Sequence, residues 1–447
     1  MLVPVVGGSL TLLSMAQEGV VDLTQLANYA NQPVPAYINK DNTPAANPIT
    51  DIGATLGRVM FFDKRLSKND TVSCASCHQQ EHAFSDPEVA STGVAGTTGR
   101  HSMRLINARF ANENRFFWDE RATSVEDQST RPIQDHVEMG FSGADGDPSL
   151  ANLVTKISAI EEYQVLFTGV YGDPLITEER MQRALAQFVR SIQSFDSKYD
   201  LGRAAAGNNN AQFANFSAQE NAGKQLFMTP PPQGGAGCNA CHQAPEFDID
   251  PNSGNNGVVA ALGGGDDFTN TRSPSLRDLV DATGTLHTGL MHNGSLTTLL
   301  DVVNHYNAIP ADVVGLDPRL RPGGRPQRLN LTDVEKDSLV AFLKTLTGSS
   351  VYTDAKWSNP FDPAGQLSLI VLPLNTDALR FSGAGDAREV TVTSVGVANV
   401  GYIFQTSMDL INWTSTAVTA SAAGQLSVTV ATSGPRCFYR YAYAPGP

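Results

Sequence analysis

Cysteine is scarce in this 447-residue sequence: five residues, too few to staple a fold by disulfides. Histidine (eight) and tryptophan (three) are also few, so any place where they recur in a pattern stands out. Basic charge is in the minority, with 31 Lys and Arg against 45 Asp and Glu, a formal net charge of −14 and a pI near 5.0. That balance argues against nucleic acid or an anionic membrane as partner. No run reaches the roughly 18 uncharged apolar residues that a spanning helix needs, so no membrane span is expected. What is present is 41% apolar residues with 39 Gly and 25 Pro, enough for packed cores joined by turn-rich connections. The length calls for two or three domains.

Four of the five cysteines lie in two matching units, Cys74-Ala75-Ser76-Cys77-His78 and Cys238-Asn239-Ala240-Cys241-His242. Each follows an apolar segment, Gly57 to Phe62 or Gly223 to Phe227, and precedes a phenylalanine, Phe84 or Phe247. A duplicated domain accounts for the repeat, with each apolar helix walling one side of what the Cys-Cys-His unit holds. C-x-x-C-H attaches c-type haem: two thiols add across the vinyl groups and the adjacent His is forced beneath the ring as proximal ligand. With so few Cys and His, one such unit arises by chance about once in a thousand sequences of this composition, and two far less often. Zinc would use the Cys pairs but gives no reason for a His directly after both. Redox dithiols lack the βαβ context they favour. The motifs therefore predict two covalently bound c-type haems, held by Cys74, Cys77 and His78 and by Cys238, Cys241 and His242.

The fold class expected is mainly α: two cytochrome c-like haem domains followed by a small all-β sandwich. The boundaries read as an N-terminal segment at 1–40, a first haem domain at 41–200, a second at 201–348, a linker at 349–365 and the β domain at 366–447. Val3 to Ala16 resembles a secretory signal with a small-x-small site at Ser14-Met15-Ala16, though no Lys or Arg precedes it; a buried strand or helix is the alternative. Helical spacing runs from Ile176 to Phe195, and Thr332 with Glu335 forms a capping box opening a helix to about Leu346. Thr123 and Glu126 suggest another box. Asn208 to Asn210 and Gly263 to Gly265 mark loops. The linker is read from Pro360, Pro363 and Gly365. Strands are read at Leu367 to Leu372, Glu389 to Val395, Gly401 to Gln405 and Leu426 to Val430. Cys437, the unpaired cysteine, reads as a small buried hydrophobe.

From about Ile52 to Leu346 the chain resembles the bacterial dihaem cytochrome c peroxidases and their MauG-type relatives. The likeness is carried by Phe62 to Ser67, Phe117 to Ala122, Val137 to Gly140 and Met291 to Leu296. It implies that Trp118 sits between the haems, and that Gln128, Pro132 and Glu138 line the open face of the first haem. Heterolysis of a peroxide needs a base for one oxygen and an acid for the other, which a pocket carboxylate can supply; Glu138 takes that part and Gln128 orients the peroxide. Where relatives that need reductive activation carry a distal His, this chain has Val94. His82 and His101 remain as substitutes, so the resemblance implies an open first iron unless one of them serves.

At the second haem, Tyr306 falls where the peroxidases carry Met and the MauG type carries tyrosine; Met291 and His305 are the alternatives. Phenolate oxygen stabilises ferric and higher states, whereas thioether raises the potential. The family also holds calcium between the haems, partly by backbone carbonyls, but positions with Thr and Pro in relatives are His287 and Gly289 here. The implied activity is reaction with hydrogen peroxide, using either a protein substrate or a small cytochrome or cupredoxin donor as reductant. A non-enzymatic dihaem electron-transfer protein, and a β domain that binds the partner with the haems as redox cargo, are the competing readings. Attachment of c-type haem outside the cytoplasm implies a periplasmic or other extracytoplasmic location.

Overall fold

The computed structural model describes residues 18–112, 115–249, 253–272, 274–372, 378–382, 388–431 and 437–444. The signal-like stretch Val3 to Ala16 lies outside them. The helices are α1 (Asp51–Phe62), α2 (Cys74–Cys77), α3 (Val125–Ser129), α4 (Leu150–Ser158), α5 (Glu161–Tyr171), α6 (Glu178–Ser191), α7 (Lys198–Ala206), α8 (Ala218–Met228), α9 (Leu299–Asn307) and α10 (Asp333–Lys344). The strands are β1 (Val20–Asp22), β2 (His242–Gln243), β3 (Asp248–Ile249), β4 (Ser368–Ile370), β5 (Ala378–Ser382), β6 (Glu389–Val395), β7 (Gly401–Ser407), β8 (Trp413–Thr419), β9 (Gln425–Ala431) and β10 (Phe438–Tyr443). The molecule is thus mainly helical with a β-sheet C-terminal region.

Helix starts follow local chemistry. Thr177 caps α6 by accepting from the Arg180 amide, with Glu178 and Glu179 in the first turn and Arg190 in the last, as the helix dipole favours. Thr332 and Glu335 form the expected box at α10. At α3 the cap is Ser124 rather than Thr123: its hydroxyl accepts from the Asp127 amide at 3.0 Å, while Thr123 donates to the Asp127 carboxylate.

The two Cys-Cys-His units sit in matching surroundings. α1 crosses α6 at Gly57, where a Cβ would lie 2.0 Å from the Ala184 carbonyl oxygen; α8 crosses α10 at Gly223, where it would lie 1.8 Å from that of Ser338. Only glycine allows backbones to approach so closely. Each crossing stacks the same rings, Phe61 with Phe188 at 5.1 Å and Phe227 with Phe342 at 5.2 Å, and both extend to the phenylalanine after the motif, Phe84 or Phe247. Buried apolar residues accordingly form two main clusters, one around α1 and α6 and one, from Tyr199 to Leu346, around α8 and α10.

The C-terminal fifth departs from expectation. The segment 349–365, read as a linker, is packed: Val351, Trp357 and Phe361 fill the first cluster, and the Trp357 indole donates to Ser191 Oγ at 3.3 Å. Its prolines and glycine mark turns, but its large apolar side chains decide its burial. The strand read at Leu367 to Leu372 is shorter, Ser368–Ile370, and lies outside the later sheets; it pairs in parallel with β1, Val20 opposite Ser368. The remaining strands form two three-stranded antiparallel sheets, ordered β5-β6-β9 and β10-β7-β8, whose facing residues share a cluster built on Val390, Val392 and Phe404. This β region is seated on the first helical core, to which it adds Val397, Val400, Tyr402 and Leu426. The Tyr402 hydroxyl accepts from the Val397 amide and donates to the Val371 carbonyl, both at 2.8 Å.

Candidate active site

The first Cys-Cys-His unit opens onto a cleft of ≈ 1870 Å³, mouth included, lined by Cys77 and His78 and by Gln128, Pro132 and Glu138. His78 Nδ1 lies 3.0 Å from the Phe84 carbonyl oxygen, which can only accept, so Nδ1 carries the proton and Nε2 is left as the ligating nitrogen. Burial keeps this imidazole neutral. Burial also pushes the Cys74 and Cys77 thiols up to about 12 and about 11. Raised thiols of this kind rest protonated rather than as the activated thiolates of a redox dithiol. Among the described residues no three His, Cys, Asp or Glu side chains converge as metal ligands.

Gln128 is set by its short helix. Glu126, two residues before it, forms a two-pronged ion pair at 2.6 and 2.9 Å with the buried Arg190 of α6. Glu138 is set by a turn in which the Asp135 carboxylate accepts from the Val137 and Glu138 amides at 2.8 and 3.0 Å. The Glu138 carbonyl then takes the Val94 amide at 3.1 Å. Burial, reinforced by the Asp135 charge and opposed by Arg121, pushes the Glu138 carboxyl up to about 7. A carboxyl poised near neutrality can both take and return a proton.

The second unit opens onto a cleft of ≈ 1700 Å³, mouth included, lined by Cys238, Cys241, His242, Met291, Tyr306 and an apolar set that includes Leu290, Val303 and Leu343. Burial, with Arg319 nearby, lowers His242 to about 4, so it is neutral. Its Nδ1 is buried with no partner, and the Phe247 carbonyl, counterpart of Phe84's, accepts from the Leu276 amide. Tyr306 and Met291 both reach this cleft, whereas His305 does not: it is turned to the Asn256 carbonyl at 2.8 Å.

The two clefts share a wall made chiefly of 101–104 and Trp118. The Trp118 indole donates to the His101 carbonyl at 2.6 Å, and its own carbonyl accepts from the Thr271 and Arg272 amides at 2.9 and 3.1 Å. Arg100 ties the same region across the units by pairing with Asp119 and Asp267, both at 2.7 Å. His101 lines both clefts with its ring nitrogens 3.1 Å from Ser85 Oγ and 3.1 Å from the Glu88 carbonyl. His82 faces His287, and neither His82 nor Val94 lines the first cleft. His287 Nε2 lies 3.3 Å from the Tyr352 hydroxyl, and imidazole is not the oxygen donor calcium takes.

Arg104 and Asn256 have no motif that flags them in the sequence. Arg104 lines both clefts, is pressed down to about 10 by burial, and leaves Nε without a partner. A buried, under-partnered guanidinium in a shared wall fits the acidic side chains of haem. With a thiol pair, a neutral His and a large cleft at each motif, the residues present fit two haems.

Two c-type haem cradles sharing a wall at Trp118, the first lined by the half-buried side chains of Gln128 and Glu138, are the pattern of a dihaem peroxidase. Residues 52–209 match the model of the di-haem cytochrome c peroxidase family. The methylamine utilization protein MauG of Methylophilus methylotrophus is 30% identical over 321 residues, covering 70% of this chain and 87% of that protein. The cytochrome c551 peroxidase of Nitrosomonas europaea is 28% identical over 308 residues, covering 66% and 80%. The crystal structure of a MauG-like protein associated with microbial copper homeostasis aligns with a TM-score of 0.57 at 29% identity, covering 74% of this chain and 99% of that one. The chain belongs to the di-haem cytochrome c peroxidase family, whose members are haem-dependent oxidoreductases with two c-type haems.

Proposed function

We propose that the protein reacts with hydrogen peroxide at an open first haem held by Cys74, Cys77 and His78, and that a second haem held by Cys238, Cys241, His242 and Tyr306 stores or delivers electrons. The observation that carries this reading is the first cleft, which brings Gln128, Pro132 and Glu138 together with His78, while the other imidazole lining it, His101, is engaged through both ring nitrogens. When bound, haem supplies the coordination and the electrons for O–O cleavage. Glu138 takes the proton from the near oxygen and returns it to the departing one, and its raised proton affinity suits both transfers. Gln128, fixed through the Glu126–Arg190 pair, hydrogen-bonds and orients the peroxide. Pro132 excludes water from one side. Trp118, shared by both clefts, relays electrons between them.

Tyr306 and Val94 support a MauG-type outcome, in which a protein side chain is the reductant, over turnover with a small donor protein. The acidic surface and c-type haem chemistry fit a periplasmic or otherwise extracytoplasmic enzyme. The test is to add stoichiometric hydrogen peroxide to the diferric holoprotein and record visible and near-infrared spectra within seconds. Prompt oxidation with a new near-infrared band supports the reading. No reaction until one haem is reduced refutes the open site and points to donor-driven peroxidase action.

A further inference from the structure

Two side chains able to bind iron, Tyr306 and Met291, reach the second cleft, and Asn256 touches both. The Asn256 carboxamide is held in one orientation. Its Oδ1 accepts from the Val258 amide at 3.0 Å, so the other end is the NH2 group. Its backbone carbonyl is pinned by His305 Nε2 at 2.8 Å, on the helix that carries Tyr306. The loop is anchored further by Asn255, whose side chain donates to the Val314 carbonyl at 2.7 Å and accepts from Gly257 at 3.1 Å. The NH2 group faces the Met291 sulfur at 3.1 Å, and the same side chain sits beside the Tyr306 phenol, where it favours the phenolate. Met291 meanwhile has a left-handed backbone, φ 72°, which fixes where its side chain starts.

We propose that Asn256 is a positioning residue that assigns the second haem's open coordination position to Tyr306 rather than Met291. A thioether is a weak acceptor with a flexible stem, and the amide N–H occupies the sulfur and keeps it off the iron. The same side chain stands beside the phenol, an outer-shell contact that orients the ligand and draws charge from it. Asn256 thereby sets both the identity of the ligand and its electron donation, the two quantities through which an axial group controls haem potential. The inference rests on the reading of Tyr306 as axial ligand.

The experiment uses ferric holoproteins with the haem content checked at two per chain: wild type, Asn256→Ala, Asn256→Asp, Asn256→Ala with Met291→Leu, and Tyr306→Phe. Asn256→Asp keeps the acceptor for Val258 and removes the NH2 donor while adding a negative charge, so this variant is read by the charge-transfer band alone and covers the case in which the alanine variant does not fold. The readouts are the thioether-to-iron charge-transfer band and the midpoint potential of the second haem. In the Asn256 variants the band appears in at least a tenth of the second haems, and that fraction has a higher potential than the Tyr-ligated remainder; adding Met291→Leu abolishes both the band and the high-potential fraction. A wild-type spectrum and potential in the Asn256 variants, or a band that survives Met291→Leu, overturns the proposal. Tyr306→Phe separates the two failures: if it leaves the wild-type spectrum unchanged, the axial assignment of Tyr306 is what falls.

Discussion

Glu138 offers a test that joins catalysis to stability. Its carboxyl is pushed up to about 7 from 4.5, chiefly by burial and then by Asp135, with Arg121 pulling the other way. As the base that accepts the peroxide proton it acts only when ionised, so the rate of reaction with peroxide in the holoprotein should rise with pH to a plateau, with a midpoint near 7. Asp135→Asn removes a like charge and should move that midpoint to lower pH; replacing Arg121 by Gln should move it higher. Glu138→Gln should flatten the profile and lower the plateau by about 10²–10⁴-fold. The sign for stability is opposite to that of an ordinary paired carboxylate. Because the folded value lies above the unfolded one, the folded state binds the proton more tightly, and stability falls as pH rises from about 4.5 through 7. The whole difference, near 1.36 kcal/mol per pH unit, comes to about 3 kcal/mol. Relative to wild type, Glu138→Gln should therefore gain stability to denaturant between pH 5 and pH 8. A Glu138→Gln profile that keeps the wild-type midpoint, or an Asp135→Asn midpoint that stays put or rises, would refute the assignment.

Gly57→Ala and Gly223→Ala each push a methyl group into a facing backbone carbonyl, at 2.0 and 1.8 Å, and should cost about 1–3 kcal/mol or more by forcing the helices apart. Denaturant midpoints of the holoproteins check this against Gly401→Ala, which enters open space and should stay within about 0.5 kcal/mol of wild type. Trp118→Phe keeps a ring in the shared wall but loses the 2.6 Å bond to His101. Both haems should still attach, while the spectral response of the second haem to peroxide slows at least tenfold; stopped-flow traces that match wild type would remove Trp118 from the relay.

What the sequence disclosed was the chemistry written in short spacings. The two Cys-Cys-His units, the capping boxes at Thr332 and the periodic run ending in α6 are local patterns, and local hydrogen bonding decides them. The convergence of Gln128, Pro132 and Glu138 in one cleft was legible only through family resemblance, because three residues on a short helix and a turn carry no shared period. Pairing between Val20 and Ser368 was not legible, since parallel partners far apart in sequence leave no local signal. The packing of segment 349–365 was not legible, because Pro360, Pro363 and Gly365 signal turns while Val351, Trp357 and Phe361, whose apolar area governs burial, follow no local period. Asn256 was invisible for another reason: its effect depends on Met291, Tyr306 and His305, which only the fold brings to it.

The parallel pairing of β1 with β4 also bears on how the molecule is made. The first helical unit cannot finish its core from its own stretch of chain, because Val351, Trp357, Phe361, Leu367 and Val371 fill it from beyond the second unit. The apolar core behind Cys74 and Cys77 is therefore complete only in the full-length chain, and a chain cut before Val351 loses part of the first haem unit's wall together with the β region.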